Sequence, residues 1–395
     1  MKLPILRAIA FALTLLVVPA ARAQPAPGWV GAYIWGGLIT TQHSASEGAA
    51  QFHDSVRFML AQGFDTIRFT IGPKAMAAYN LPSSRYCRGA DRKLGCFARL
   101  MLASDAWDDP GLRRVMLSLA DFACYTYASD NNGCLYEPYL KANEAAIAAE
   151  YTDLLQVLHD RFAGRGIQII ISNWEGDNFV YCGSYRFARR APSAAKCMAK
   201  WPAGQTTTQR ADAFLYWYSI KDAAVSAFRA NHPDFDVIVA PEFNGWYDTF
   251  DRGCNGRCDP GDELVSRIEA AGGREYCSYS SYGSQGRFYI EELSKILERS
   301  CKNLIIGEFG RDYPRHSRAD IEANFALVDK ARRLVLADGR RVIGVVPWHA
   351  IDGETLPKAG PHEQVYGLFR YDGREVLHPL MGGLRPTPPE PKARK

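Results

Sequence analysis

Short apolar, β-branched or aromatic runs recur along the chain from Trp29 onward, most of them separated by stretches with helical spacing. This alternation is the sequence mark of a parallel sheet whose crossovers are helices. Eight such runs can be counted: Trp29 to Trp35, Thr66 to Ile71, a third within Leu117 to Ala128, Ile167 to Ser172, Val237 to Ala240, Tyr276 to Tyr279, Leu304 to Ile306 and Val342 to Val346. The third reads as helix, strand, or helix running into strand, and its later half, Phe122 to Tyr127, is taken as the strand. Helices are expected around Phe52 to Gln62, Glu144 to Phe162, Arg210 to Ala230, Tyr289 to Arg299 and Ile321 to Leu336. In the second of these, Ile147, Tyr151, Leu154, Leu155 and Leu158 make a buried stripe, and Gly164 and Gly166 close it.

Eight strand-helix alternations fit one closed (β/α)8 TIM barrel, an α/β fold. A doubly wound open sheet would carry a Gly-rich phosphate loop after an early strand, and the chain has none. No internal repeat is found. The barrel is expected to run from 24 to 385 as a single domain, followed by a Pro-rich, charged tail, 386–395, that should be disordered.

The N-terminus changes the compartment. Lys2 and Arg7 precede an apolar run from Ala8 to Val18, and Ala21-Arg22-Ala23 follows, which is the pattern of a secretory signal peptide over 1–23. That run is too short to cross a bilayer core of about 30 Å. The mature protein is therefore expected to be secreted or periplasmic, a monomer, with no stable membrane insertion after signal cleavage. All ten cysteines lie beyond the leader, an even count that suits disulfides in an exported chain. The simplest pairing joins near neighbours and would pin surface loops: Cys87 with Cys96, Cys124 with Cys134, Cys182 with Cys197, Cys254 with Cys258, and Cys277 with Cys301. A zinc site at Cys254 and Cys258 is the rival, but no second closely spaced Cys or His pair accompanies it. A net charge of +4 with no basic stripe argues against nucleic acid as a partner.

Barrel enzymes keep their chemistry at the C-terminal ends of the strands. Those ends read Tyr33-Ile-Trp35, Arg68, Tyr125-Thr-Tyr127, Asn173-Trp174-Glu175-Gly-Asp177-Asn178, Pro241-Glu242-Phe243-Asn244, Ser280-Ser-Tyr282, Gly307-Glu308-Phe309-Gly310 and Pro347-Trp348-His349. Aromatic faces stack on sugar rings while carboxylates and amides bind hydroxyls, so this inventory suits a carbohydrate. No convergent metal set appears, and neither a metal nor a cofactor is expected.

The segment Leu304-Ile-Ile-Gly-Glu308-Phe-Gly310 resembles the seventh strand of retaining clan A glycoside hydrolases, the cellulase- and mannanase-like superfamily, in which that glutamate is the nucleophile. The resemblance extends as strand-end motifs over roughly residues 28 to 380. It implies Glu308 as nucleophile, Tyr282 as its orienting partner, Trp348 beneath the scissile sugar and Arg68 near the nucleophile. The family's acid/base glutamate directly follows an asparagine, whereas here Trp174 separates Asn173 from Glu175. Glu175 is assigned as acid/base with Glu242 in reserve, and Asn173 or Asn178 would bind the neighbouring hydroxyl. Trp35, Tyr33 and Asn244 complete the expected substrate contacts.

Each residue also has a plainer reading. Glu308 could be a carboxylate paired with Arg311 or Arg68, Asp177 an N-cap, Trp348 and Tyr282 rim packing, and His349 a hydrogen-bonded side chain. The alternative of another class is a non-catalytic glycan-binding barrel in the cell envelope. A Ser-His-Asp hydrolase is excluded by the lack of a Gly-x-Ser-x-Gly elbow. The stretches Ser83 to Asp109, Cys182 to Gln209 and Thr249 to Asp262 are expected to be long loops that wall the groove.

Overall fold

The computed structural model describes residues 26–35, 38, 48–72, 76, 79, 81, 87–88, 93–120, 134–181, 199, 201–245, 263–281, 289–313, 315–352 and 366–387. The expected leader, Tyr125 to Tyr127, Tyr282, the cysteines Cys124, Cys182, Cys197, Cys254 and Cys258, the stretch Thr249 to Asp262 and most of the expected tail lie outside these residues.

Among the described residues nine parallel strands are found: β1 (Trp29–Ile34), β2 (Thr66–Ile71), β3 (Arg114–Leu119), β4 (Gln168–Ser172), β5 (Val237–Val239), β6 (Glu242–Phe243), β7 (Arg274–Ser280), β8 (Cys301–Phe309) and β9 (Arg341–Pro347). They lie in the order β5-β4-β3-β2-β1-β9-β8-β7-β6. The two ends of that order are neighbours in the chain, separated only by Ala240 and Pro241. The Ala240 N–H donates to Ile171 O on β4 at 2.8 Å, and the Ser278 N–H on β7 donates to Pro241 O at 2.9 Å. The sheet therefore curls until its two ends meet at this dipeptide.

Helices occupy the crossovers: α1 (Gly48–Ala61), α2 (Leu94–Leu102), α3 (Glu137–Phe162), α4 (Gly176–Tyr181), α5 (Thr207–Asn231), α6 (Leu264–Ala270), α7 (Tyr289–Arg299) and α8 (Arg318–Ala331). Local chemistry sets several boundaries. Pro138 sits in the first turn of α3, where its missing N–H loses nothing. Thr206 with Gln209, and Ser317 with Asp320, close reciprocal capping boxes on α5 and α8. After α3, Gly164 and Gly166 take φ of 71° and 65°, a left-handed backbone that ends the helix.

The sheet has two buried faces. One packs on the helices through residues such as Ile67, Phe69, Val115, Leu117, Ile169 and Ile171. The other is a compact inner cluster of Tyr33, Met116, Ile170, Ile238, Ala240, Ile305, Val346 and Trp348. Register explains the inner cluster: Tyr33 lies opposite Arg68, Arg68 opposite Met116, Met116 opposite Ile170, and Ile170 opposite Ile238. Register partners in a pleated parallel sheet share a face, so these residues form one layer around the inside. Arg68 is that layer's charged member.

Double-sided burial also corrects the third strand: the place between β2 and β4 is taken by Arg114–Leu119, and Phe122 to Tyr127 lies outside the described residues. A strand covered on both faces reads as a nearly unbroken apolar run. Val115-Met-Leu-Ser-Leu119 has that character. A second difference falls on Ser83 to Asp109, expected as a loop. It contains α2, whose Leu94, Phe97, Ala98, Met101 and Leu102 are buried at helical spacing. Arg99 of this helix pairs with Asp153 of α3 at 2.7 Å.

Cys87–Cys96 and Cys277–Cys301 form disulfides, and Cys134 is also disulfide-bonded. No helix among the described residues is long and apolar enough to cross a membrane.

Candidate active site

Arg68 enters the interior from the middle of β2 and is wholly buried. A buried guanidinium needs acceptors for its fixed fork of donors, and five neighbours supply them. Nε and Nη2 donate to Ser118 Oγ at 2.9 and 2.7 Å, Nη1 to Gly307 O at 2.6 Å, and Nη2 to Asn173 O at 3.3 Å. Nη2 also faces two carboxylates, Glu242 Oε1 at 2.9 Å and Glu308 Oε1 at 3.1 Å. The Tyr33 ring covers the guanidinium, with its centre 4.3 Å from Cζ. Burial alone would lower the Arg68 pKa, but Glu242, Tyr33 and Glu308 together raise it further. The cation is permanent.

Glu308 stands near the end of β8, 1% exposed, with its backbone paired to Ser280 of β7. The plainer reading of this residue, an ion pair with Arg68, is what the geometry contains. It shares this cluster with Glu242, whose Oε1 faces the same Arg68 Nη2. Gly307 precedes it for a steric reason: a Cβ there would lie 2.1 Å from Glu242 Oε2 and 2.2 Å from Ser278 Oγ.

Glu242 forms β6 with Phe243 and has no exposed surface. Its Oε1 accepts from Arg68 and from the Glu175 N–H at 3.1 Å, and its Oε2 accepts from Ser278 Oγ at 2.6 Å. Asn173, directly after β4, clamps the Glu242 backbone: Oδ1 accepts the Glu242 N–H at 2.8 Å and Nδ2 donates to Glu242 O at 3.0 Å. Tyr218 of α5 donates its hydroxyl to the same Oδ1. The Asn173 amide is thus turned inward.

Glu175 differs from both. It is only partly buried, and its φ of 32° places a non-glycine residue in the left-handed region. That strain needs a structural hold, which the N–H bond to Glu242 supplies. Asn178 donates to its Oε2. Burial, and then the negative charges of Glu242 and Asp177, push its pKa up to about 8 against the pull of Arg68 and Asn178. Asp177 follows in the first turn of α4. Its Oδ2 accepts the N–H groups of Asn244 at 2.6 Å and Gly245 at 3.1 Å, and burial pushes its pKa up to about 6. This carboxyl ties the segment after β6 to α4. Gly176 lets the backbones approach, since a Cβ there would meet Glu242 O at 2.4 Å.

The walls are aromatic. Tyr33 meets Trp348 edge-on at 5.1 Å between centroids, and Trp35 lies 6.1 Å from Trp348. Trp174 and Tyr366 pack against the same inner cluster. The Tyr33 hydroxyl hydrogen-bonds Thr70 Oγ1 at 2.6 Å, and burial first, with Glu308 adding, raises its pKa. His349 is buried directly behind Trp348, their rings 5.5 Å apart. The amide oxygens of Asn178 and Asn244 and the Ser280 hydroxyl are buried with no hydrogen-bond partner. Among the described residues, no group of three or more His, Cys, Asp or Glu is placed to hold a metal ion.

The cluster thus brings together Arg68, Glu175, Glu242, Glu308, Asn173 and Asn178 beside Tyr33, Trp35 and Trp348, while Tyr282 lies outside the described residues. Sequence reasoning missed Ser118, Ser278 and Tyr218, and named Ser280 among the strand ends without giving it a role. The three serines carried a signal, being small hydroxyls inside otherwise apolar or aromatic strands. Tyr218 carried none, since its helix is rich in aromatic residues.

No family model and no curated protein matches the sequence. Several solved structures share the fold. A GH5_18 protein from Bifidobacterium longum subsp. infantis is 14% identical with a TM-score of 0.54, covering 91% of this chain and 77% of that one. An exo-β-1,4-mannosidase from Opitutaceae bacterium strain TAV5 is 16% identical with a TM-score of 0.53; it covers 91% of this chain, which spans 59% of that protein. The β-glycosidase of the hyperthermophile Thermosphaera aggregans is 13% identical with a TM-score of 0.51, covering 91% and 95%. At such identities the shared property is the fold.

Proposed function

We propose that this chain is an exported retaining glycosidase, built on a closed (β/α)8 barrel whose fifth stave is the broken pair β5 and β6. Glu308 is the nucleophile and Glu175 the acid/base. The observation that carries this reading is the opposite treatment of the two carboxyls in one cluster: Glu308 faces the permanent cation Arg68 at 3.1 Å, whereas burial and like charges hold Glu175 neutral up to about pH 8.

Glycoside cleavage needs this division. The Glu175 carboxyl donates its proton to the leaving oxygen, and the Glu308 carboxylate attacks the anomeric carbon to form an ester. Esterification removes a negative charge, which lets Glu175 lose its proton and act as base toward water. Trp348 and Trp35 supply apolar faces for sugar rings, whereas Tyr33, wholly buried with Arg68 against its ring, backs them rather than touching substrate, and Asn178 and Asn244 supply unused buried oxygens for hydroxyls. Glu242, with both oxygens committed and no exposed surface, is less suited to the acid role than Glu175. The substrate class is β-linked glycosides of poly- or oligosaccharides, in keeping with neighbours named exo-β-1,4-mannosidase and β-glycosidase. The apolar leader and the disulfides support action in the periplasm or outside the cell.

The experiment is turnover of a panel of aryl β-glycosides and β-linked oligosaccharides by the parent and by Glu308→Gln, with the first-formed anomer followed by proton NMR. The parent should release sugar with retained configuration. The variant should lose at least about a thousandfold in kcat, as expected when a nucleophile is removed, while still binding oligosaccharide by calorimetry. Inverted product, or a fully active variant, defeats the assignment; binding by the parent without any turnover selects the glycan-binding alternative.

A further inference from the structure

Glycosidase chemistry needs two carboxyls, yet the buried cluster holds a third that has no exposed surface. We propose that Glu242 is a positioning residue: it divides Arg68 between itself and Glu308, pins the Glu175 backbone, and places a fixed negative charge beside the Glu175 carboxyl. This rests on reading Glu308 and Glu175 as nucleophile and acid.

Three independent holds fix Glu242. Arg68 Nη2, the Glu175 N–H and Ser278 Oγ all donate to its carboxylate, at 2.9, 3.1 and 2.6 Å. Asn173 grips its backbone N–H and C=O, and Tyr218 of α5 steadies Asn173. Position 307 is left without a side chain to make room. A group so restrained cannot swing out to exchange protons with a sugar, but its charge and its acceptor lone pairs act at fixed points.

Charge then assigns the roles. Arg68 is the cation of the cluster, and it directly faces two carboxylates, Glu242 and Glu308. Glu175 is left with Glu242 and Asp177 as its negative neighbours and Arg68 as its positive one; Asp177 in turn feels Glu263. A third carboxylate would therefore be uncompensated in a buried site, and the proton stays on Glu175. The N–H bond from Glu175 to Glu242 holds the left-handed turn at φ 32°, so the same residue sets where the acid points.

Glu242→Gln tests this, because it preserves shape and one acceptor and removes the charge. Two readouts are compared with the parent: the pH profile of kcat/KM on an aryl β-glycoside, and the titration of the Glu175 carboxyl by NMR in protein labelled with carboxyl-13C glutamate. The Glu175 midpoint and the alkaline limb should both fall by about one pH unit. The acid limb should fall too, since Arg68 then serves Glu308 alone, and kcat should drop about tenfold with KM little changed. A parental midpoint and parental limbs overturn the proposal. A parent silent on every glycoside but with the midpoint displaced in the variant defeats the glycosidase reading and leaves the positioning role standing. If Glu242→Gln does not fold, Ser278→Ala decides: the proposal requires a loss of about threefold or more in kcat at unchanged KM, and parental kcat sinks it.

Discussion

The carboxylate of Glu242 occupies the space that a side chain at position 307 would need, its Oε2 only 2.1 Å from where a Cβ would stand. Gly307 does not take a positive φ, so the glycine is required by contact rather than by a left-handed backbone. Gly307→Ala should push Glu242 off Arg68 and Ser278. Overpacking of this kind destabilises by about 1–3 kcal/mol, and the turnover should fall with it. Urea unfolding checks the first effect and kcat the second; parental values of both would mean that the cluster can relax around a methyl group.

Arg68 serves both buried carboxylates, so removing it leaves charges without a counter-ion. Arg68→Met should cost about 3–5 kcal/mol, the usual penalty for breaking a buried pair from one side. Arg68→Lys keeps the charge but not the fork that reaches Ser118, Gly307 O and Asn173 O together. It should recover part of the stability and little of the activity. Thermal unfolding of the two variants side by side gives the answer, and equal melting temperatures for Arg68→Met and the parent would refute it.

Stability should carry the signature of the neutral carboxyls. Glu175 titrates at about 8 in the fold against an ordinary 4.5, and Asp177 at about 6 against 3.8. Both folded values are raised, so between the ordinary and the raised value the native state holds a proton that the unfolded chain has released. Their contribution is complete below the ordinary values and is lost as pH rises through about 6 and then about 8. The stability difference between Glu175→Gln and the parent, measured by urea unfolding across this range, should therefore grow in favour of the variant as pH rises. A difference independent of pH would show that Glu175 is not neutral in the fold. Turnover should fall along an alkaline limb near the same value of about 8.

Ser280 ends β7 opposite Glu308, 2% exposed, and its hydroxyl has no partner. An unsatisfied buried hydroxyl is a burden of about 1–3 kcal/mol that persists only where something uses it. Ser280→Ala should match or exceed the parent in stability and lose roughly tenfold in kcat/KM, the scale of one hydrogen bond to substrate or nucleophile. Loss of stability with unchanged kinetics would make it a packing residue.

Much of the fold was legible because a sheet buried on both faces writes itself as apolar runs. The positions of β1, β2, β4, β7, β8 and β9 follow from composition over a few residues, and the stripe of α3 follows from period. The third strand was misplaced because Phe122 to Tyr127 is the more β-prone segment taken alone, whereas the register of Arg114 with Thr66 and Gln168 is a tertiary property. Helix α2 was hidden inside a stretch read as loop, and its apolar face becomes meaningful only against α3.

Sequence by itself determined which residue types could do chemistry and which strand ends carried them: Glu308 after Gly307, Arg68 within β2, the Asn173 to Asn178 segment, and the flanking tryptophans. Only the tertiary structure decided what surrounds each one. Three glutamates are alike on paper; Glu242 and Glu308 are buried and face the same Arg68 nitrogen, and Glu175, partly buried, lies beside Glu242 and Asp177 instead. That distinction arises from burial and from distances of about 3 Å between residues up to 240 positions apart, and electrostatic energy depends on separation in space, which the order of residues does not encode.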